Sequence, residues 1–323
     1  MENNVAKRGF FEWCRTYKGQ KFITTILFLL IPLILLIVFT FIPAFDMLIY
    51  SFQDRTQFAI NDSFVGFDNY KTVFTDSSYL VTFQTSLYYL IGSFFQQAIA
   101  LLLASILCSK IKLKGLFKGT LFFPYLMNGV AVAIIFKFFF QKGSPPLSGE
   151  GTLNSIIEIF GGKSIQWFSS SSDFWDSFRA NCCLVFVSIW RYIGFDIIMY
   201  IGAIQSISPD LYEAADLDGA NPWQRFRYII FPGIKPIVSL QLILAVKGAI
   251  SVFEVPYIIT KGKGGTSTFV IKTIETAFEY RKLGLASAMG IVLLVIIIIV
   301  TLIQQAFFKD DDGTGPKKIK SKR

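Results

Sequence analysis

The sequence predicts an all-α integral membrane protein with six transmembrane helices and a helix-turn-helix in one cytoplasmic loop. Three observations carry that prediction. Of 323 residues, 53% are hydrophobic and only 16% charged, whereas a soluble domain carries about a quarter charged residues. The mean hydropathy is +0.53, and 35 phenylalanines exceed what one water-soluble core can hide. The apolar residues are gathered into runs of roughly 20, enough to cross about 30 Å of hydrocarbon as a helix. The same composition excludes a disordered chain.

The runs begin near Phe22, Thr82, Leu116, Asn181, Gly233 and Ser287. The first follows basic residues as a secretory signal would. Its apolar stretch to about Tyr50 is too long for one, and no small-residue cleavage site follows, so it is read as a helix. With the N-terminus inside, 18 lysines and arginines fall on the inner side and 10 on the outer, leaving Lys137, Arg191 and Lys247 within spans. That bias puts both termini in the cytoplasm. The chain divides into a cytoplasmic N-terminal segment (1–21), a transmembrane domain (22–308) and a cytoplasmic tail (309–323). The tail carries an acidic triplet and then lysines suited to anionic lipid.

Several chemistries are excluded or disfavoured. The absence of histidine removes histidine-based triads, most zinc chemistry and the usual neutral-pH proton shuttle. Cys14, Cys108, Cys182 and Cys183 contain no C-x-x-C pair and read as packing residues. The net charge of +9 belongs to basic inner loops rather than to nucleic-acid binding. Gly161-Gly162-Lys163-Ser164 lacks the first glycine of a phosphate loop, since Ile157 stands there, and reads as a plain turn.

The inner segment 206–235 is neither apolar enough to span nor polar enough to be a tether. Ser208-Pro209 starts a short helix over Leu211–Leu217. Gly219 breaks the chain, and Asn221-Pro222 starts a second short helix that is expected to end before Pro232. Ala214, Ala215 and Ala220 keep the surface thin for close docking, while Glu213, Asp216 and Asp218 supply charge for register.

The run Glu213-Ala214-Ala215, Gly219-Ala220, Phe226, Ile229 and Pro232 resembles the EAA loop of binding-protein-dependent ABC importer permeases. Further matches resemble that family's sugar branch, of maltose and glycerol-phosphate type. They are Val65-Gly66-Phe67-Asp68-Asn69-Tyr70, Phe123-Pro124, Gly151-Thr152-Leu153-Asn154 with Trp167, Trp190-Arg191 with Gly194-Phe195, and Val252-Phe253-Glu254. Thr260-Lys261-Gly262 continues the pattern, but Gly262-Lys263-Gly264-Gly265 stands where the family has Gly-Gly-Pro. The resemblance covers roughly residues 20–308. It implies a permease subunit in a bacterial cell membrane that pairs with a second, homologous permease. It further implies an ATP-binding subunit dimer docked on Glu213, Ala214, Ala215, Asp218, Gly219 and Ala220, and an extracytoplasmic solute-binding protein that delivers a sugar. ATP and Mg would then sit on the partner ATPase, with no cofactor and no catalytic residue on this chain.

Ionisable residues within spans are expensive and face a bundle interior or cavity by default. Those here are Arg191 and Asp196 on span four and Lys247 and Glu254 on span five; Lys137, near the outer end of span three, is expected to snorkel to the headgroups. Arg191 and Asp196 lie about 140° apart on a helix, so they cannot share one partner, and span five could supply partners for both. A sugar needs aromatic faces and short polar groups. Trp190, Tyr192, Tyr200, Phe253 and Tyr257 offer the first, and Asn128, Ser188 and Ser251 the second. Structural ion pairs and ordinary helix contacts are the alternative use of the same residues. A secondary transporter should carry repeated halves and broken intramembrane helices, and neither is evident in the sequence. A membrane-embedded enzyme lacks a catalytic motif.

Overall fold

Backbone amides cannot stay unpaired in hydrocarbon, so the apolar runs close their hydrogen bonds within helices. The computed structural model describes residues 16–56, 63–109, 112–143, 149–171 and 173–308. The tail, Cys14 and most of the N-terminal segment lie outside these. Among the described residues five helical stretches are long and apolar enough to cross a membrane, and counting one bent pair as a single span makes six; inner and outer keep the sense that the charge bias of the sequence gives them.

Span one comprises α1 (Tyr17–Leu36), a π-turn (Ile37–Phe41) and α2 (Ile42–Tyr50). The π-turn makes room for Pro43, whose missing N–H would otherwise interrupt the ladder. None of its most apolar stretch is buried within this chain. At its outer end a short hairpin, β1 (Gln53–Asp54) with β2 (Ser63–Phe64), leads to α3 (Asp68–Thr75). Here the Val65–Tyr70 motif acts as a lock. Asn69 Nδ2 donates to the carbonyls of Ser51 and Gln53 at 3.0 and 2.9 Å, and the Tyr70 hydroxyl bonds Ser51 Oγ at 2.6 Å. The single turn α4 (Ser77–Leu80) then opens span two, which is chiefly α5 (Thr82–Cys108).

The third span is not one straight helix. It breaks into α6 (Lys114–Leu126) and α7 (Gly129–Phe139), bent by 96°. Pro124 lacks a donor in the last turn of α6, Met127 and Asn128 are extended, and Asn128 Oδ1 accepts from the amides of Val130 and Ala131 at the new helix start. Lys137 is exposed near the outer end of α7. The outer loop that follows folds on Asn154 of α8 (Thr152–Ile159). Asn154 is fully buried, donates to the carbonyls of Gln141 and Ile165, and accepts from the Ile165 amide and Trp167 Nε1. Gly161 and Gly162 close the end of α8 as a turn, with Gly161 at φ +80.

Span four is α9 (Phe174–Gln205), two turns longer at its outer end than the apolar run from Asn181, because Asp173 caps it at Trp175. Cys183 packs in the core on its inner face, whereas Cys182 points outward and is not a packing residue within this chain. The inner loop holds α10 (Pro209–Leu217) and α11 (Pro222–Arg225). The second helix does not end before Pro232. A π-turn over Phe226–Ile230 absorbs that proline, and the helix continues into α12 (Phe231–Ile250). Span five then breaks at Ser251–Phe253 before α13 (Glu254–Thr260), and the Val252 carbonyl freed by the break accepts from Thr268 Oγ1 at 2.8 Å. After α14 (Phe269–Ile274), α15 (Leu283–Phe308) forms span six. Two of the six spans are therefore broken, contrary to the sequence expectation.

Spans two and four form the centre of the bundle. Ala100 and Ala104 are fully buried against Ile197, Tyr200, Ile201 and Ile204, small residues letting the backbones approach. A second cluster ties both spans to α7 and α13 through Tyr89, Val132, Leu184, Val187 and Val255. Span six packs on α3 and α14 through Val73, Phe269, Leu285 and Met289.

Candidate functional site

Between spans two, four and five lies a cavity of about 530 Å³. Its stripe on α12 is Gln241, Leu244, Ala245 and Gly248, the i, i+3, i+4, i+7 face of a helix. Spans two and four contribute Tyr89, Ser93, Gln96, Gln97, Ser188, Tyr192 and Asp196, and the break in span five contributes Ser251, Phe253 and Glu254. Tyr125 from α6, stacked on Phe195 at 4.9 Å, closes one wall.

Asp196 is the hub. Its Oδ2 accepts from Gln96 Nε2 at 2.6 Å and Gln97 Nε2 at 3.1 Å, and its Oδ1 from Gln241 Nε2 at 2.8 Å. The Tyr200 hydroxyl donates to Gln97 Oε1 at 2.6 Å. Three spans are thereby joined through one carboxylate.

A second polar node sits where the broken spans meet. Arg191 Nη1 and Glu254 Oε2 are 2.5 Å apart, with Arg191 13% and Glu254 37% exposed, and the guanidinium also lies over the Tyr192 ring at 4.9 Å. The pair nests directly on Gly129, at the start of α7. A Cβ there would stand 2.1 Å from both Arg191 Nη1 and Glu254 Oε2. Gly194 makes a similar contact below, where a Cβ would stand 1.9 Å from the Leu121 carbonyl oxygen, so α9 crosses α6 backbone to backbone.

Of the residues singled out from sequence, Ser188, Tyr192, Asp196, Ser251, Phe253 and Glu254 line the cavity. Arg191 reaches it only through Glu254. Tyr200 is buried behind Gln97, and Trp190 packs edge-on against Phe136 at 5.1 Å. Asn128 is occupied as a helix cap, and Tyr257 stacks on Phe253 at 4.8 Å without itself lining the cavity. Lys247 is exposed and off the lining, because it lies between the positions of the α12 stripe and its helix face turns away from the cavity. Gln96, Gln97 and Gln241 carry the site and escape a search limited to ionisable groups. Their signal is visible, since three amides inside apolar spans need partners.

In the inner loop, Ser208 caps α10 at Asp210, and Asn221 with Gln224 forms a capping box on α11. Arg225 pairs with Asp216 and donates through Nε to the Ala220 carbonyl at 3.0 Å. Gly219 takes φ +69, which favours glycine, and nothing lies within 4 Å of where its Cβ would be. Glu213, Ala214 and Asp218 are exposed and Ala220 is half-buried. Ala215 faces the other way. It is buried under the turn, where its carbonyl accepts from the Ala220 amide at 2.9 Å. Leu217 is 90% and Trp223 69% exposed, an apolar surface outside the spans. Tyr212 of α10 is half-buried, and burial pushes its hydroxyl above the usual tyrosine range.

Residues 96–310 match the family described as the binding-protein-dependent transport system inner membrane component. The chain belongs to this family. It is a multi-pass membrane permease of that class; the inner loop falls inside the matched region, and so does the cavity apart from Tyr89, Gly92 and Ser93. It is 30% identical over 272 residues to the multiple sugar-binding transport system permease protein MsmF of Streptococcus mutans, covering 82% of this chain and 88% of the relative. It is 29% identical over 272 residues to the sn-glycerol-3-phosphate transport system permease protein UgpA of Pectobacterium atrosepticum, covering 82% and 87%. The fold matches a chain of a bacterial alginate ABC transporter crystallised with an alginate pentasaccharide-bound periplasmic protein. The TM-score is 0.76 at 22% identity, over 93% of this chain and 99% of that one.

Proposed function

We propose that this permease translocates a sugar or oligosaccharide as one half of the membrane channel of an ATP-driven importer. The single observation that carries this reading is the cavity between spans two, four and five, lined by amides, hydroxyls and aromatic rings, with most of its lining inside the family's matched region. Amides and hydroxyls suit the hydroxyls of a pyranose and aromatic rings suit its apolar face. Relatives named for sugar transport support the cargo class.

The remaining parts follow from the same reading. A solute-binding protein delivers cargo at the outer face, and a second, homologous permease completes the channel. An ATPase dimer, carrying ATP and Mg, docks on the inner loop at Glu213, Ala214, Ala215, Asp218, Gly219 and Ala220, with the exposed Leu217 next to them. Both termini lie in the cytoplasm. Closure of the ATPase dimer moves α10 and α11, and because α11 runs without interruption into α12, that motion reaches the Gln241 stripe of the cavity directly. The test is purification in mild detergent followed by reconstitution into vesicles. An ATPase subunit should co-purify, and saccharide uptake should require both ATP on the inner side and binding protein on the outer. Uptake by the permease without an ATPase would overturn the reading in favour of a facilitator or secondary transporter. A glycerol phosphate ester as the preferred cargo would overturn the cargo class alone.

A further inference from the structure

The charge of the cavity restricts its cargo further, and the restriction rests on the saccharide reading above. Among the described lining residues the ionisable groups are two acids, Asp196 and Glu254, and three tyrosines; there is no lysine or arginine. The nearest cation, Arg191, is committed to Glu254, and Lys247 lies on another face of α12. An anionic cargo would shed its water here and meet an acid with no counter-charge, which is costly whether that acid is ionised or not. An uncharged polyol meets suitable partners instead. Gln241 is 1% exposed and its Oε1, left over after its amide serves Asp196, has no hydrogen-bond partner. The Tyr89 hydroxyl, 5% exposed, has only the Ser188 side chain beside it as a polar neighbour. The unpaired Gln241 acceptor and the Tyr89 hydroxyl, both buried at the wall, fit sugar hydroxyls, which donate and accept.

We infer that this cavity admits uncharged polyhydroxylated cargo and excludes phosphorylated or uronate-bearing cargo, with Asp196 as the specificity-determining group. The fold does not impose this, because a chain of the same architecture belongs to an importer of the acidic polysaccharide alginate. The lining of this chain does.

The test uses the full importer reconstituted with its ATPase and binding protein. Maltotriose and raffinose serve as neutral probes, and trigalacturonate and sn-glycerol 3-phosphate as anionic ones. Neutral probes should be preferred by at least about tenfold in binding to the membrane complex. Gln96→Lys keeps a donor on Asp196 while adding a cation to the wall, and should shift that ratio toward the anions by about tenfold or more. If this variant does not assemble, Ser93→Lys on the same wall makes the same test. Anions bound as well as neutral probes by the wild type, or a ratio unmoved in the assembled lysine variant, would overturn the inference and leave the sugar reading standing. Amino acids or peptides carried in place of every saccharide would overturn both.

Discussion

Gly129→Ala tests whether the Arg191–Glu254 pair depends on the bend in span three. The added methyl would sit 2.1 Å from Arg191 Nη1 and from Glu254 Oε2. Ordinary contact begins near 3.4 Å, so each group must retreat by about 1 Å. Opening the pair from 2.5 Å to about 4 Å costs roughly 2 kcal/mol at an effective dielectric of about 20. Because Glu254 is 37% exposed, solvent screening reduces that to about 1 kcal/mol. Overpacking at the backbone of α7 adds about 1–3 kcal/mol. The expected destabilisation is therefore about 2–4 kcal/mol, read as a lowered thermal midpoint of the purified permease in detergent. A double-mutant cycle gives the sharper assay. Once Glu254→Gln has removed the charge, Gly129→Ala should cost about 1 kcal/mol less than it does in the wild type. Strict additivity would refute the claim that the glycine acts by seating the pair.

Three further outcomes are expected. Glu254→Ala leaves Arg191 half-buried without its partner, so uptake should fall by about tenfold or more while the complex still assembles; normal uptake at normal expression would make the pair purely architectural. Gly219→Asp should leave the spans folded, since nothing lies within 4 Å of its Cβ position and aspartate tolerates φ +69 better than most residues. Transport per ATP hydrolysed should drop, and a normal ratio in reconstituted vesicles would remove the coupling role of this turn. Asn154→Leu strips the Trp167 indole and the Ile165 amide and carbonyl of their partner, at about 1–3 kcal/mol for each group left buried. The outer loop should become protease-sensitive with red-shifted tryptophan emission, and an unchanged digestion pattern would count against Asn154 as its anchor.

The sequence alone determined the membrane class, the positions of the apolar runs and the start of both inner-loop helices. Those features depend on local chemistry: hydrocarbon thickness sets the run length, and Ser208-Pro209 and Asn221-Pro222 supply their own caps. The family was legible for the same reason, in the spacing of Glu213, Gly219 and Pro232. Only the tertiary structure decided that spans three and five break. A proline ends a helix or is absorbed by a π-turn, and the neighbours choose between these, as Pro124 at a 96° bend and Pro232 inside a continuous helix demonstrate. The structure alone also distributed the intramembrane polar residues. Asp196 became the hub because two glutamines from span two, 100 and 99 residues away in sequence, and one from span five, 45 residues away, converge on it. Lys247, equally conspicuous in the sequence, turned away, because its place on α12 follows from helix rotation relative to Gln241 and Gly248. Partner choice between distant side chains is set by how helices pack, and no spacing within one helix encodes that.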